Sequence, residues 1–206
     1  MKYLKLIICL LFTAYAFGQE SQGVKTIEPD EELIAKTESF FKMYFSQIKD
    51  HKWAELIENM PKEYLDFAGK KTLTSQIEKA FNNEAFSTTF NEMTFKNISK
   101  AFVFKDVTYA EVNYYNSFTF NFNKTEKQSE KDFNIYMDFM ASTFSNQFKN
   151  QNVKREGNGI TISGDKVIVV IDNPKNDSLK MLEIEKNMAE MYKMFMPGEV
   201  VNKLVE

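Results

Sequence analysis

Between Asp30 and Ile48, the residues Ile34, Thr37, Phe41, Tyr44, Phe45 and Ile48 recur at the spacing of an amphipathic helix. Asp30 suits the N-cap, and Glu31 and Glu32 suit the first turn, where the helix dipole favours acids. Asp50 and His51 mark a break. Trp53, Leu56, Ile57 and Met60 form a second, shorter stripe. Pro61 is placed for the first turn of another helical piece carrying Tyr64, Leu65 and Phe67, and Gly69 ends it. Residues 72–81 resume helical spacing, with Leu73, Ile77, Ala80 and Phe81 on one side and Asn82-Asn83 as the stop.

From Phe86 the period falls to two. Phe86, Thr88 and Phe90 share a face, whereas Met93 and Phe95 have the opposite parity, which predicts a bulge near Asn91-Glu92. Phe102 and Phe104 continue the sheet, and Lys105-Asp106 turns into the longest predicted strand, residues 108–122. Its even positions, from Ala110 and Val112 through Tyr114, Asn116, Phe118, Phe120 and Phe122, make an apolar face interrupted by Asn116. Its odd positions make a wet one.

Residues 124–131 are a charged connection. Phe133, Tyr136, Met137, Met140, Phe144 and Phe148 then predict a helix over residues 132–149. Residues 156–159 are turn chemistry, and residues 160–171 read as a hairpin folded about Gly164-Asp165. A loop over 173–178, a strand over 179–184 and a C-terminal helix marked by Met188, Met191, Tyr192 and Phe195 follow. Pro197-Gly198 breaks that helix before a short tail helix. Residues 29–206 show neither a repeat nor a linker and read as a single α+β domain: N-terminal helices on a curved, mostly antiparallel sheet, with an inserted helix and a C-terminal helix.

The start of the chain changes the setting. Lys2 and Lys5 precede an apolar run from Leu6 to Phe12, and small residues lead to Gly18. This is the layout of a secretory signal peptide, too short to span a membrane. The expected cut follows Gly18, with a cut after Ala16 as the alternative. Cys9 is not a lipidation site, since bulky Ile8 precedes it and the apolar run continues beyond it. Residues 19–28 lack periodicity and read as a flexible lead-in. The expected location is the periplasm or the medium.

Removal of residues 1–18 takes two lysines and no acid, so the formal charge moves from −3 to −5. A mildly acidic chain without a basic block is a poor partner for nucleic acid or an anionic membrane. The single cysteine leaves with the signal, so the mature chain has no disulfide and no thiolate chemistry. Of the twenty Phe, nine Tyr and one Trp of the full chain, all but Phe12, Phe17, Tyr3 and Tyr15 remain to supply a core in their place.

The stripe over residues 40–45, the segment Trp53-Ala54-Glu55-Leu56-Ile57 and the paired strands over 101–104 and 109–122 resemble the NTF2-like (cystatin-like) cone. That resemblance implies a curved sheet wrapped around helices, with a pocket. The helix over 132–148 departs from the family's pattern by interrupting the strands. The whole chain also resembles the small exported proteins of unknown function of Bacteroidetes-type bacteria.

Candidate chemistry is sparse. His51, the one histidine, lies between Asp50 and Lys52 and reads as a solvated turn residue. The oxygens near Asp172, Asn173, Asn176 and Asp177 match no EF-hand spacing. Gly157-Asn158-Gly159 lacks the setting of a phosphate loop, and no Gly-x-Ser-x-Gly is present. No catalytic residue, metal or cofactor is expected. Asp177-Ser178-Leu179 resembles an O-glycosylation signal of Bacteroidetes-type exported proteins, and Met188, Met191, Met194 and Met196 could form either a core or a partner surface.

The candidate binding pocket is Tyr114, Asn116 and Phe118, which alternation turns toward the apolar side. Asn116 is there either a satisfied structural residue or a ligand contact. Two functions remain. One is a non-catalytic exported domain binding a small apolar ligand or a protein partner. The other is an NTF2-like isomerase, dehydratase or hydrolase using Tyr114 and an acid from elsewhere, as the family resemblance implies. An enclosed pocket joining Tyr114 to a carboxylate favours the second, and a filled cone favours the first.

Overall fold

The computed structural model describes residues 23–81, 83–176, 178–184 and 186–206. The predicted leader, its cleavage sites and Asp177 lie outside the described residues.

Asp30 caps α1 (Glu31–Lys49) by accepting a hydrogen bond from the Leu33 N–H at 2.8 Å. The helix buries Leu33, Thr37, Phe40, Phe41 and Ile48. Ile34, assigned to the stripe by spacing, is exposed, and Leu33 and Phe40 take its place. The break falls at His51, in the left-handed region at φ 56°. Its exposed ring stacks on Trp53 at 5.2 Å. Three short helices follow: α2 (Trp53–Glu58), α3 (Lys62–Ala68) and α4 (Lys70–Phe81). Pro61 stands one residue earlier than expected, as the N-cap of α3. Gly69, at φ 80°, separates α3 from α4 in a conformation that disfavours a side chain.

The sheet is antiparallel and curled into a half-barrel. Its order is β1 (Lys25–Ile27), β2 (Phe86–Phe104), β3 (Val107–Phe122), β5 (Gly159–Asp172), β4 (Asn152–Glu156), and β6 (Lys180–Leu182) also pairs with β5. The nineteen residues of β2 face the sixteen of β3 through three register shifts, which leave Asn91, Lys96 and Ser99 as the extra residues. Each bulge bends the strand and reverses its parity. Phe90, Met93, Phe95, Ile98 and Ala101 consequently all pair with even positions of β3. The shift near Asn91 is the one the alternation predicts; the other two curl the sheet further.

Helices cover both faces at one end. On the even face of β3, α1 packs Phe40 and Phe41 against Ala110, Val112 and Tyr114. Farther along the same face, the inserted helix α5 (Glu130–Gln147) packs Phe133 and Met137 on Phe122 and Ile160. On the opposite face, α6 (Ala189–Tyr192) and α7 (Gly198–Val205) bury Tyr192, Met196, Val200 and Val201 against Phe102, Tyr109 and Ile171.

Four expectations change. The lead-in ends in β1, which extends the sheet by pairing with residues 101–103 of β2. Residues 160–171 do not fold back at Gly164-Asp165: β5 runs straight through, paired with β3 along its whole length. The hairpin instead turns at Gly157-Asn158, and its other arm is β4. The odd face of β3 is not wet throughout, since the C-terminal helices bury Tyr109. Of the C-terminal methionines, Met196 is buried and Met191 packs beside it, whereas Met188 and Met194 are exposed.

Candidate functional site

Where α1 leaves the sheet, a cavity of about 270 Å³ opens between the helical layer and the curled strands. Tyr44 and Ile48, one turn apart on α1, form one wall, and Met60 and Tyr64 close it from the α2–α3 junction. Met93, Tyr114 and Ile168, from β2, β3 and β5, form the floor. Met181 and Leu182 of β6, with Glu183 directly after it, form the remaining side. Met93 reaches this floor because of the bulge at Asn91, which turns its side onto the face shared with Asn116 of β3.

Tyr114 is the most deeply buried of the three residues that alternation singles out. It is 5 % exposed, and its ring lies 5.5 Å from that of Phe41. Tyr44 stacks on Phe40 at 6.1 Å. Among the described residues, neither hydroxyl has a hydrogen-bond partner. The fully buried polar side-chain atoms without a partner among the described residues are Thr37 Oγ1 and Thr88 Oγ1, so both phenol oxygens reach open space.

Burial pushes the Tyr44 phenol up to about 12, with the Glu183 carboxylate adding to the effect. Burial likewise holds the Tyr114 phenol far above its ordinary value, with Glu183 and then Tyr44 as further causes. Both groups are therefore neutral hydroxyls at any physiological pH, and the carboxylate that acts on them borders the same space. The Glu183 side chain is 54 % exposed and meets the Lys166 ammonium at 3.3 Å. Lys166 is in register with Tyr114 across the β3–β5 ladder but does not line the cavity.

Asn116 and Phe118 do not join Tyr114 at the cavity wall. Asn116 is half-buried opposite Met93 and Gly164. Phe118 is also half-buried, with its ring 5.3 Å from Phe120 and 6.5 Å from Phe148, under the inserted helix. Alternation assigned a face correctly, but the helices divide that face into two compartments. Tyr44, Met60, Met181 and Glu183 were absent from the sequence-based site. Only Tyr44 left a trace there, as a polar-tipped member of the α1 stripe.

Larger grooves of about 520 and 400 Å³ flank α3, but they are rimmed by solvated charges. Lys62 pairs with Asp66 there, and Lys70 with Glu58. Among the described residues, no group of three or more His, Cys, Asp or Glu side chains could hold a metal ion. No described helix is long and apolar enough to cross a membrane. The chain matches no family model, no curated protein and no solved structure.

Proposed function

We propose that this protein is an exported, NTF2-like binding domain that holds a small, mostly apolar molecule in the cavity beside Tyr114. The observation that carries the reading is Tyr114 itself: a nearly buried phenol that borders open space and has no partner among the described residues. A polar group in that position loses hydration unless a guest or water meets it. The wall around it is apolar and adaptable, with Met60, Met93 and Met181 contributing flexible thioethers. The volume suits a guest on the order of ten non-hydrogen atoms, at the small end of ligand pockets. Helices laid over a curled antiparallel sheet support the NTF2-like resemblance.

The presence of Glu183 beside Tyr114 favours a second reading, an isomerase, dehydratase or hydrolase. There the tyrosine hydroxyls would polarise a carbonyl and Glu183 would move a proton. Binding ranks first because Glu183 is half exposed and already paired with Lys166, the setting of a rim anchor.

A thermal-shift screen with small apolar molecules tests both. Binding predicts stabilisation of the wild type that is lost in Met60→Trp, whose indole would occupy the cavity. No stabilisation by any compound overturns the binding reading. Turnover of a carbonyl compound that Glu183→Gln abolishes without weakening binding would establish the second.

A further inference from the structure

Resting on that reading of the cavity, we infer that the guest's polar end is a cation, so that the site takes a free organic ammonium ion with a short apolar body. Glu183 is the only charged side chain among the described lining residues, although the chain carries 26 basic residues. An anionic guest would meet that carboxylate and no opposing charge in the wall. A cationic guest would meet the carboxylate and three tyrosine rings, Tyr44, Tyr64 and Tyr114. Aromatic faces carry negative quadrupoles that attract ammonium groups, more strongly in desolvated settings.

Burial comes first in raising both phenols, and the Glu183 carboxylate adds to the rise at each. Lys166 occupies the carboxylate from beside the cavity, at a loose 3.3 Å. An ammonium guest would take its place on Glu183, leaving the partly exposed lysine to turn to water. The chemistry is one of exchange, a solvated internal cation replaced by one that also fills the apolar space.

The test is a calorimetric titration of the folded chain with three probes of similar shape: 2-phenylethylammonium, 2-phenylethanol and 3-phenylpropionate. The ammonium should bind about tenfold more tightly than the alcohol, with the carboxylate weakest. Glu183→Gln should erase that preference while leaving alcohol binding in place. Lys166→Met should tighten the ammonium several-fold by freeing the carboxylate. Both positions are partly exposed, and circular dichroism checks that the variants fold.

Alcohol or carboxylate binding as tight as the ammonium overturns the cation assignment. If Met60→Trp abolishes that binding, the cavity reading survives on its own. Absence of binding by all three probes, or binding unaffected by Met60→Trp, overturns both. A lysine side chain in a peptide offers the same ammonium chemistry. Tighter binding of Nα-acetyl-lysine amide than of 2-phenylethylammonium would overturn the free small-molecule form of the proposal.

Discussion

Met181 donates its backbone N–H to the carbonyl of Asn59 at 2.8 Å, joining the sheet's β6 to the helical layer beside the cavity. The side chain of Asn59, 6 % exposed, donates in turn to Gln47 Oε1 at 2.6 Å and to the Glu55 carbonyl at 3.3 Å. One residue therefore ties α1, α2 and β6 together around the proposed site.

Asn59→Ala should destabilise the fold by about 1–3 kcal/mol, because it strands buried hydrogen-bonding groups. Urea denaturation reads that loss. The backbone bond from Met181 to Asn59 survives the substitution, so the loss reads the side-chain link between α1 and α2 alone. A variant as stable as the wild type would show that the Asn59 side chain does not tie α1 to α2.

Alkaline pH should unfold the protein through its buried phenols. The Tyr44 phenol ionises near its ordinary value in the unfolded chain but near about 12 when folded. Between those values the folded state holds the extra proton. Stability is thus complete below pH ~10 and falls as pH rises through about 12, by roughly 2–3 kcal/mol for Tyr44. Tyr114 and Tyr109 shift in the same direction, each mainly through burial. Tyrosinate absorbance should show late-titrating phenols, fewer in the Tyr44→Phe and Tyr114→Phe variants. Full tyrosine titration near pH 10 in the folded protein would contradict this.

The β2–β3 hairpin turns on Lys105 and Asp106, both left-handed, at φ 49° and 66°. A two-residue turn of this kind favours Asn-Gly. The double substitution Lys105→Asn, Asp106→Gly should raise stability by about 0.5–1 kcal/mol by removing backbone strain. Thermal melting measures the gain, and a lower midpoint would refute it.

The inserted helix belongs to the core. Met137 on α5 is fully buried against a cluster that includes Phe122 and Ile160. Met137→Ala should cost about 2–5 kcal/mol and lower a single cooperative transition. A separate early transition would instead mark α5 as an independently melting layer.

Export is a proposal that rests on residues 1–18 alone. Mass spectrometry of the secreted or periplasmic protein should find a mature chain beginning at Gln19, or at Phe17 for the alternative cut. A chain retaining Met1 would reject it.

Helix spacing, the Lys105-Asp106 turn and the parity slip at Asn91 were all legible because each arises within a few residues. The site was legible at Tyr114 alone, through strand alternation. Asn116 and Phe118 share its face of the strand but not its compartment. Nothing local says which stretch of that face α1 covers and which stretch α5 covers.

The misread segments have a common cause. Gly164-Asp165 has the composition of a turn, yet pairing with β3 on one side keeps β5 extended through it. Residues 25–27 show no pattern, yet an open edge of β2 makes them a strand. Local chemistry along the chain decided the element types, most of their limits and the apolar faces they must bury. Only the tertiary structure decided which helix covers which end of the sheet, and so brought Tyr44, Tyr114 and Glu183 to one cavity. Those placements depend on contacts between residues far apart in the chain, whose closure entropy and packing no local pattern records.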